Sequence, residues 1–270
     1  MTVMMRGKPV AAKIKEELQA KFAGKQVTLA IVVVGDDAAS HVYKNRLVKM
    51  AQSLGVQTRE VLLPATATQE AVLEAVQRLN EDTEVTGILP MMPLPKPLDG
   101  DAVGAAVAPE KDMDCLNPLN AGELYLGRSP WAPCTPRACM AILAHYQIDL
   151  AGKQVVVLGR SNVVGKPVAN LLLQQNATVT ICHSKTRNLS QLLQEADVIV
   201  AAIGRAEFVQ PEMVQDGVVI VDVGINQVGD KLVGDVAASV ADKASAFTPV
   251  PGGVGVVSNV MVMETLTRNM

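Results

Sequence analysis

Two glycines bound the segment Gly159-Arg160-Ser161-Asn162-Val163-Val164-Gly165. An apolar run at 155–158 precedes it, and a helical run at 167–175 and a second apolar run at 177–182 follow. Strand, glycine turn, helix and strand make a βαβ unit. Backbone N–H groups at its first turn, with the helix N-terminus behind them, can hold a dinucleotide pyrophosphate. Pro167 suits the first helical turn, where a missing N–H costs nothing. The chemistry such a turn serves is hydride transfer with a nicotinamide cofactor. The spacing departs from GxGxxG, because Ser161 stands where the middle glycine would lie. Taken alone, the pattern fits an ordinary strand-to-helix turn equally well.

Other reactive side chains form no recognisable set. The four cysteines, Cys115, Cys134, Cys139 and Cys182, are scattered without a CxxC. Their spacing matches neither a zinc site nor a disulfide framework, so no metal is expected. Nothing pairs His41, His145 or Cys182 for nucleophilic catalysis, and they read as structural. The segment Pro90-Met91-Met92-Pro93-Leu94-Pro95-Lys96-Pro97 breaks regular structure just past an apolar run. Ligands in open α/β sheets sit past the carboxyl ends of strands, which makes this loop a candidate substrate wall.

The elements that must carry these residues alternate between strand and helix. Helices are predicted at 9–23, 39–54, 68–81, 135–146 and 167–175, with a terminal one from about Asn259. Strands are predicted at 28–34, 57–63, 85–89, 155–158, 177–182, 198–203 and 218–223. Residues 109–127 carry loop signals without periodicity. The whole predicts two α/β lobes with a cleft between them. Of the 270 residues, 49% are apolar and only 3% aromatic, which suits buried parallel strands of Val, Ala and Leu. A net charge of −3 and the scarcity of aromatics argue against nucleic-acid binding. No apolar run reaches the ~18 residues of a membrane span, and the first residues lack the apolar core of a signal peptide. A soluble cytoplasmic protein is expected.

Ordered segments along the whole chain resemble the methylenetetrahydrofolate dehydrogenase/cyclohydrolase family. They are Val34-Gly35-Asp36-Asp37 with Ala39-Ser40 and Tyr43; Gly87-Ile88-Leu89 and Pro93-Leu94-Pro95; Lys111-Asp112-Met113-Asp114; and Pro133-Cys134-Thr135-Pro136. The set continues through Gly159-Arg160-Ser161 with Val164-Gly165-Lys166-Pro167, Asp222-Val223-Gly224-Ile225-Asn226, Gly234-Asp235-Val236, and 248–255. The resemblance implies a folate-binding catalytic domain at 1–134, completed by a C-terminal helix at 256–270 that returns to it. A Rossmann-type NAD(P)-binding domain is implied at 135–255. It further implies a homodimer that passes hydride from 5,10-methylenetetrahydrofolate to nicotinamide C4. In many members the methenyl product is then hydrolysed to 10-formyltetrahydrofolate.

The same resemblance exposes three departures. The family carries a lysine four residues after its tyrosine, one helical turn on and on the same face. Here Leu47 follows Tyr43 at that spacing, and Lys44 points about 100° away on a helix. Arg46 stays protonated and cannot cycle as acid and base. Met91 stands where the family has a glutamine thought to tune that lysine, and Val256-Val257-Ser258 replaces proline-methionine-threonine. Hydride transfer needs orientation, whereas hydrolysis needs a proton donor and an activated water. Dehydrogenase activity is therefore expected to survive and cyclohydrolase activity to be weak or absent. Some members that lack the lysine are dehydrogenases alone. The alternatives are a bifunctional enzyme and a non-catalytic folate- and dinucleotide-binding paralogue.

The resemblance also places site residues. Tyr43 would stack on the aminobenzoyl ring, and Asp114 would accept hydrogen bonds from the pterin; both are the candidate catalytic residues. Met91, Pro249, Gly252 and Gly253 would join them at the substrate. Lys111 and Asp112 fit a ligand role no better than a solvated charge pair. Gly159, Ser161 and Gly165 would line the pyrophosphate, Arg160 and Ser184 the adenosine ribose, and Gly204 and Ile225 the nicotinamide. NAD sites end their second strand in an acidic residue that grips the 2′-OH. Here the sequence is Thr180-Ile181-Cys182-His183-Ser184-Lys185, which favours the 2′-phosphate of NADP over NAD.

Overall fold

The computed structural model describes residues 2–129 and 131–270. Its first half contains β1 (Val3–Met4), α1 (Gly7–Phe22), β2 (Thr28–Val34), α2 (Ala38–Ser53), β3 (Gln57–Leu63), α3 (Gln69–Glu81), β4 (Gly87–Pro90), α4 (Gly100–Ala106) and α5 (Pro118–Tyr125). Then come α6 (Cys134–His145), β5 (Gln154–Leu158), α7 (Gly165–Gln174), β6 (Thr178–Cys182), α8 (Leu189–Gln194), β7 (Val198–Ala201) and β8 (Val219–Asp222). The chain closes with β9 (Asn226–Val228), β10 (Lys231–Val233), β11 (Ala246–Phe247) and α9 (Val254–Thr265). It divides into two compact units. One joins Lys13–Cys134 to Asn259–Met270, and the other joins the chain up to Ala12 to Thr135–Ser258.

In the first unit, β2 is the centre of a parallel sheet ordered β3-β2-β4. All seven β2 residues are buried, as an aliphatic run covered on both faces requires. α3 lays Val72, Val76 and Leu79 against Ala30, Val32, Val34 and Ile88. The Thr68 hydroxyl caps its start by accepting from the Ala71 N–H at 3.2 Å, and Arg78 stands in its last turn. Asp37 caps α2 through the Ser40 N–H at 2.8 Å. The tail packs here too. Leu266 is fully buried, Arg268 donates to the Pro109 carbonyl at 3.1 Å, and Asn269 donates to that of Thr86 at 3.1 Å.

The second unit holds a six-stranded sheet ordered β1-β11-β8-β7-β5-β6, parallel throughout. From β5 the chain runs outward to β6 on one side and to β7 and β8 on the other. The strand order therefore reverses at β5, where open α/β sheets bind ligands. The α/β class, the Rossmann-type sheet of the second unit and the returning tail agree with the sequence expectation. Among the described residues no helix is long and apolar enough to cross a membrane.

Several boundaries differ. α9 begins at Val254, five residues before the expected start, because Gly255 sits inside the helix rather than in the turn before it. Helices α4, α5 and α8 and the β9–β10 hairpin were not expected. α4 and α5 carry start signals nonetheless: Asp99 accepts from the Ala102 N–H, and Asn117 accepts from the Leu119 N–H just before Pro118. β4 includes Pro90, which is tolerated at the sheet edge beside β2.

Candidate functional site

The turn after β5 is packed backbone against backbone. Gly159 has φ +112°, and a Cβ there would lie 2.2 Å from the Ala202 carbonyl oxygen. A Cβ on Gly165 would lie 2.3 Å from the Gly159 oxygen and 2.8 Å from the Arg160 nitrogen. Only glycine fits either position, so α7 begins directly against the turn. The Ser161 hydroxyl accepts from the N–H groups of Val164 at 3.1 Å and Gly165 at 3.3 Å. This fits a pyrophosphate cradle on a helix N-terminus. Arg160, Ser184 and Lys185 are exposed around it, and β6 is followed by a turn in which the Thr186 hydroxyl accepts from the His183 N–H at 2.8 Å. Residues 183–187 contain no carboxylate.

The exits of β7 and β8 are tied together by two carboxylates that the sequence reading did not single out. Asp235 is fully buried and accepts from the N–H groups of Ile203 (2.6 Å), Gly204 (2.9 Å) and Arg205 (2.9 Å), and from the Asn226 amide (2.9 Å). Asp222 accepts from Gly224 N–H (2.9 Å), Asp235 N–H (3.0 Å) and Val236 N–H (2.9 Å). Burial, with repulsion from Asp235 as a lesser cause, pushes the Asp222 carboxyl up to about 6 against the pull of those donors. Gly204 has φ +65° and open space beside its Cα, and Ile225 is 65% exposed. Both expected nicotinamide neighbours thus sit on this tied rim.

Pro249, Gly252 and Gly253 form a tight turn. The Gly252 carbonyl accepts from the Gly7 N–H at 2.8 Å, and a Cβ on Gly253 would lie 2.7 Å from the Pro249 oxygen. Gly252, at φ +110°, has open space beside it. The turn explains both glycines, and Gly252 leaves room for a ligand as well.

In the other unit, Tyr43, Asp114 and Cys134 come together. Burial first, then the charges of Cys134 and Asp114, holds the Tyr43 phenol above its ordinary value, so it stays protonated and able to donate. Asp114 accepts from the Cys134 N–H at 2.7 Å. Leu47, one turn along α2 from Tyr43, is fully buried. Lys44 is drawn off to an ion pair with Glu60 on β3, so it does not replace a lysine at 47. Met91 is buried, and its N–H donates to the Val32 carbonyl at 2.9 Å, which extends β4. His41 Nε2 lies 3.2 Å from the Gly35 carbonyl oxygen, and His145 packs edge-on to Tyr146, both structural arrangements.

Lys111 and Asp112 are neither ligand groups nor a solvated pair. Lys111 Nζ donates to the carbonyls of Leu79 (3.1 Å), Asn80 (2.7 Å) and Asp82 (2.7 Å), where α3 ends. Asp112 is buried and accepts from Leu116 N–H (3.0 Å), Asn117 N–H (2.8 Å) and the Asn120 amide (2.8 Å), folding the loop that carries Asp114. The Lys111 partners lie about thirty residues away in the chain, beyond the reach of spacing arguments, whereas those of Asp112 lie within eight residues, in a stretch without periodicity.

The family model described as tetrahydrofolate dehydrogenase/cyclohydrolase, catalytic domain, matches residues 5–114, and the one described as the NAD(P)-binding domain matches residues 133–270. The Bifunctional protein FolD of Geotalea daltonii is 47% identical over 270 residues, covering 97% of this chain and 96% of that protein. The bifunctional FolD methylenetetrahydrofolate dehydrogenase/cyclohydrolase of Campylobacter jejuni superposes with a TM-score of 0.96 at 39% identity, covering 100% of this chain and 98% of that one. The Trypanosoma brucei dehydrogenase-cyclohydrolase, solved with NADP cofactor and inhibitor, gives 0.95 at 38% identity, covering 99% and 97%.

Proposed function

Because this chain belongs to the tetrahydrofolate dehydrogenase/cyclohydrolase family, we propose that it oxidises 5,10-methylenetetrahydrofolate to 5,10-methenyltetrahydrofolate with NADP. The observation that carries the proposal is the turn after β5, where only glycine fits at 159 and 165. Gly159, Ser161 and Gly165 would hold the pyrophosphate, and Arg160, Ser184 and Lys185 the 2′-phosphate. Gly204 and Ile225 would flank the nicotinamide. NADP, when bound, supplies the hydride acceptor. The T. brucei relative solved with NADP supports that choice over NAD, as does the lack of a carboxylate after β6.

On the folate side, the protonated Tyr43 would pack on the aminobenzoyl ring, and Asp114 would accept from the pterin amide and amine. Met91, Pro249, Gly252 and Gly253 would complete the substrate's surroundings. No proton leaves the methylene carbon in hydride transfer, so these residues bind and orient rather than act as acid or base. The folate-binding domain is taken as 1–134 with 256–270 and the nucleotide domain as 135–255. The protein is taken to be a cytoplasmic homodimer, a state that sedimentation velocity tests.

For hydrolysis of the methenyl product, the relatives' names support a bifunctional chain better than the expected weak or absent cyclohydrolase. Both activities are therefore assigned to it. Leu47 favours a second reading, in which hydrolysis is slow, because a buried leucine can neither give nor take a proton. Following reduced nicotinamide and the methenyl species at two wavelengths separates these outcomes. Rapid methenyl decay supports the bifunctional assignment. Decay no faster than in buffer supports dehydrogenase alone. No signal with NADP or NAD refutes both and leaves a binding protein.

A further inference from the structure

Three consecutive N–H groups, those of Ile203, Gly204 and Arg205, point at one spot past the carboxyl end of β7. Such a nest is a ready anion site. Here it is filled by the chain's own Asp235. The same carboxylate also takes the Asn226 amide at 2.9 Å, from the segment leaving β8. Asp222 holds Asp235 in turn, by accepting its N–H at 3.0 Å. There is no slack in the arrangement. A Cβ on Gly224 would lie 2.3 Å from Asp235 Oδ1, and one on Gly234 would lie 1.8 Å from Asp222 Oδ2. Between Gly224 and Asn226 stands Ile225, its side chain exposed.

We propose that Asp235 is a positioning residue for the nicotinamide end of the dinucleotide, locking the Gly204 backbone and Ile225 into one register. The role rests on the dehydrogenase reading above. Asp235 spends its acceptors on backbone and amide donors and touches no reacting atom. What it leaves for a ligand on this rim is the open face of Gly204 and the Ile225 side chain, beside an exposed Arg205 whose guanidinium lies over the Phe208 ring, 4.5 Å from its centroid. A small face held rigid from behind suits a flat ring that must be oriented rather than gripped. The adenosine half relies on other segments, 159–165 and 184–185, none of whose groups is held by the Asp235 carboxylate.

Two ligands separate the halves: NADP, and 2′,5′-ADP, which lacks the nicotinamide. Both are titrated by calorimetry without folate into wild type, Asp235→Asn and Asn226→Ala. Asparagine keeps the shape but loses acceptor capacity, so NADP affinity is expected to fall about tenfold, with about threefold for Asn226→Ala. Affinity for 2′,5′-ADP is expected to hold within about twofold. With dideuterated methylenetetrahydrofolate, the isotope effect on kcat is expected to rise in both variants, because misorientation slows the hydride step itself. Parallel loss of both ligands, or unchanged NADP affinity in a folded variant, overturns the role. Asn226→Ala removes one bond and keeps the carboxylate, so it decides the matter if Asp235→Asn does not fold. Wild type that binds neither ligand overturns the dehydrogenase reading itself and this role with it.

Discussion

Leu47→Lys asks directly what the chain does without a lysine beside Tyr43. Position 47 lies one turn along α2, about 40° around the helix and about 6 Å along it from Tyr43. Leu47 is fully buried, so replacing it forfeits part of the roughly 1.5–3 kcal/mol that burying a leucine contributes. The lysine stem restores most of the apolar contact, and its ammonium can snorkel toward the protonated Tyr43 phenol. A net loss of about 2 kcal/mol, or roughly 4–8 °C in Tm, is expected. Partial burial lowers the ammonium pKa toward neutrality, the condition for acid and base work. General acid–base help of this kind is worth about 10²–10⁴ in rate, or roughly 3–5 kcal/mol of barrier. Decay of the methenyl absorbance measures it. On the second reading, in which wild-type hydrolysis is slow, Leu47→Lys is expected to hydrolyse methenyltetrahydrofolate at least about a hundredfold faster than wild type, with dehydrogenase kcat/KM changed by less than about tenfold; a wild type that already hydrolyses rapidly, as the bifunctional assignment has it, gains little. Where wild-type hydrolysis is slow, a folded Leu47→Lys protein that keeps dehydrogenase activity but gains no hydrolysis refutes the reasoning.

Three further outcomes are expected. Gly159→Ala must displace the Ala202 carbonyl, 2.2 Å from the new methyl, at φ +112°; calorimetry should show NADP binding lost, and unchanged affinity would sink the cradle. Lys111→Met removes three charge-assisted bonds at the end of α3 and should cost about 2–3 kcal/mol in urea unfolding, with the KM for NADP unchanged. The Asp222 carboxyl, raised from 3.8 to about 6, keeps a proton that the unfolded chain releases. Its stabilising contribution is therefore full below about pH 4 and lost as pH rises to about 6. The stability margin of wild type over Asp222→Asn should narrow across that window by about 3 kcal/mol, and a constant margin contradicts it.

The strand-helix alternation was legible because period and composition are local. The seven-residue aliphatic run of β2 and the glycine turn after β5 announce themselves within a dozen residues. Helices α4 and α5 were missed where short polar caps, not long periodicity, mark the start. Tyr43, Leu47 and Asp114 were legible only as an ordered pattern, since nothing local says that Asp114 and Tyr43 meet.

The sequence by itself determined the class of fold, the glycine-bounded turn after β5, the absence of a carboxylate after β6 and the leucine at 47. Each is a property of neighbours in the chain. Tertiary structure alone decided which carboxylates are ligands of the backbone. Asp235 reaches Ile203, 32 residues away, Lys111 reaches Leu79, also 32 away, and Lys44 is claimed by Glu60, 16 away. Burial makes those partnerships obligatory, because a polar group withdrawn from water must find a donor or acceptor wherever the fold supplies one.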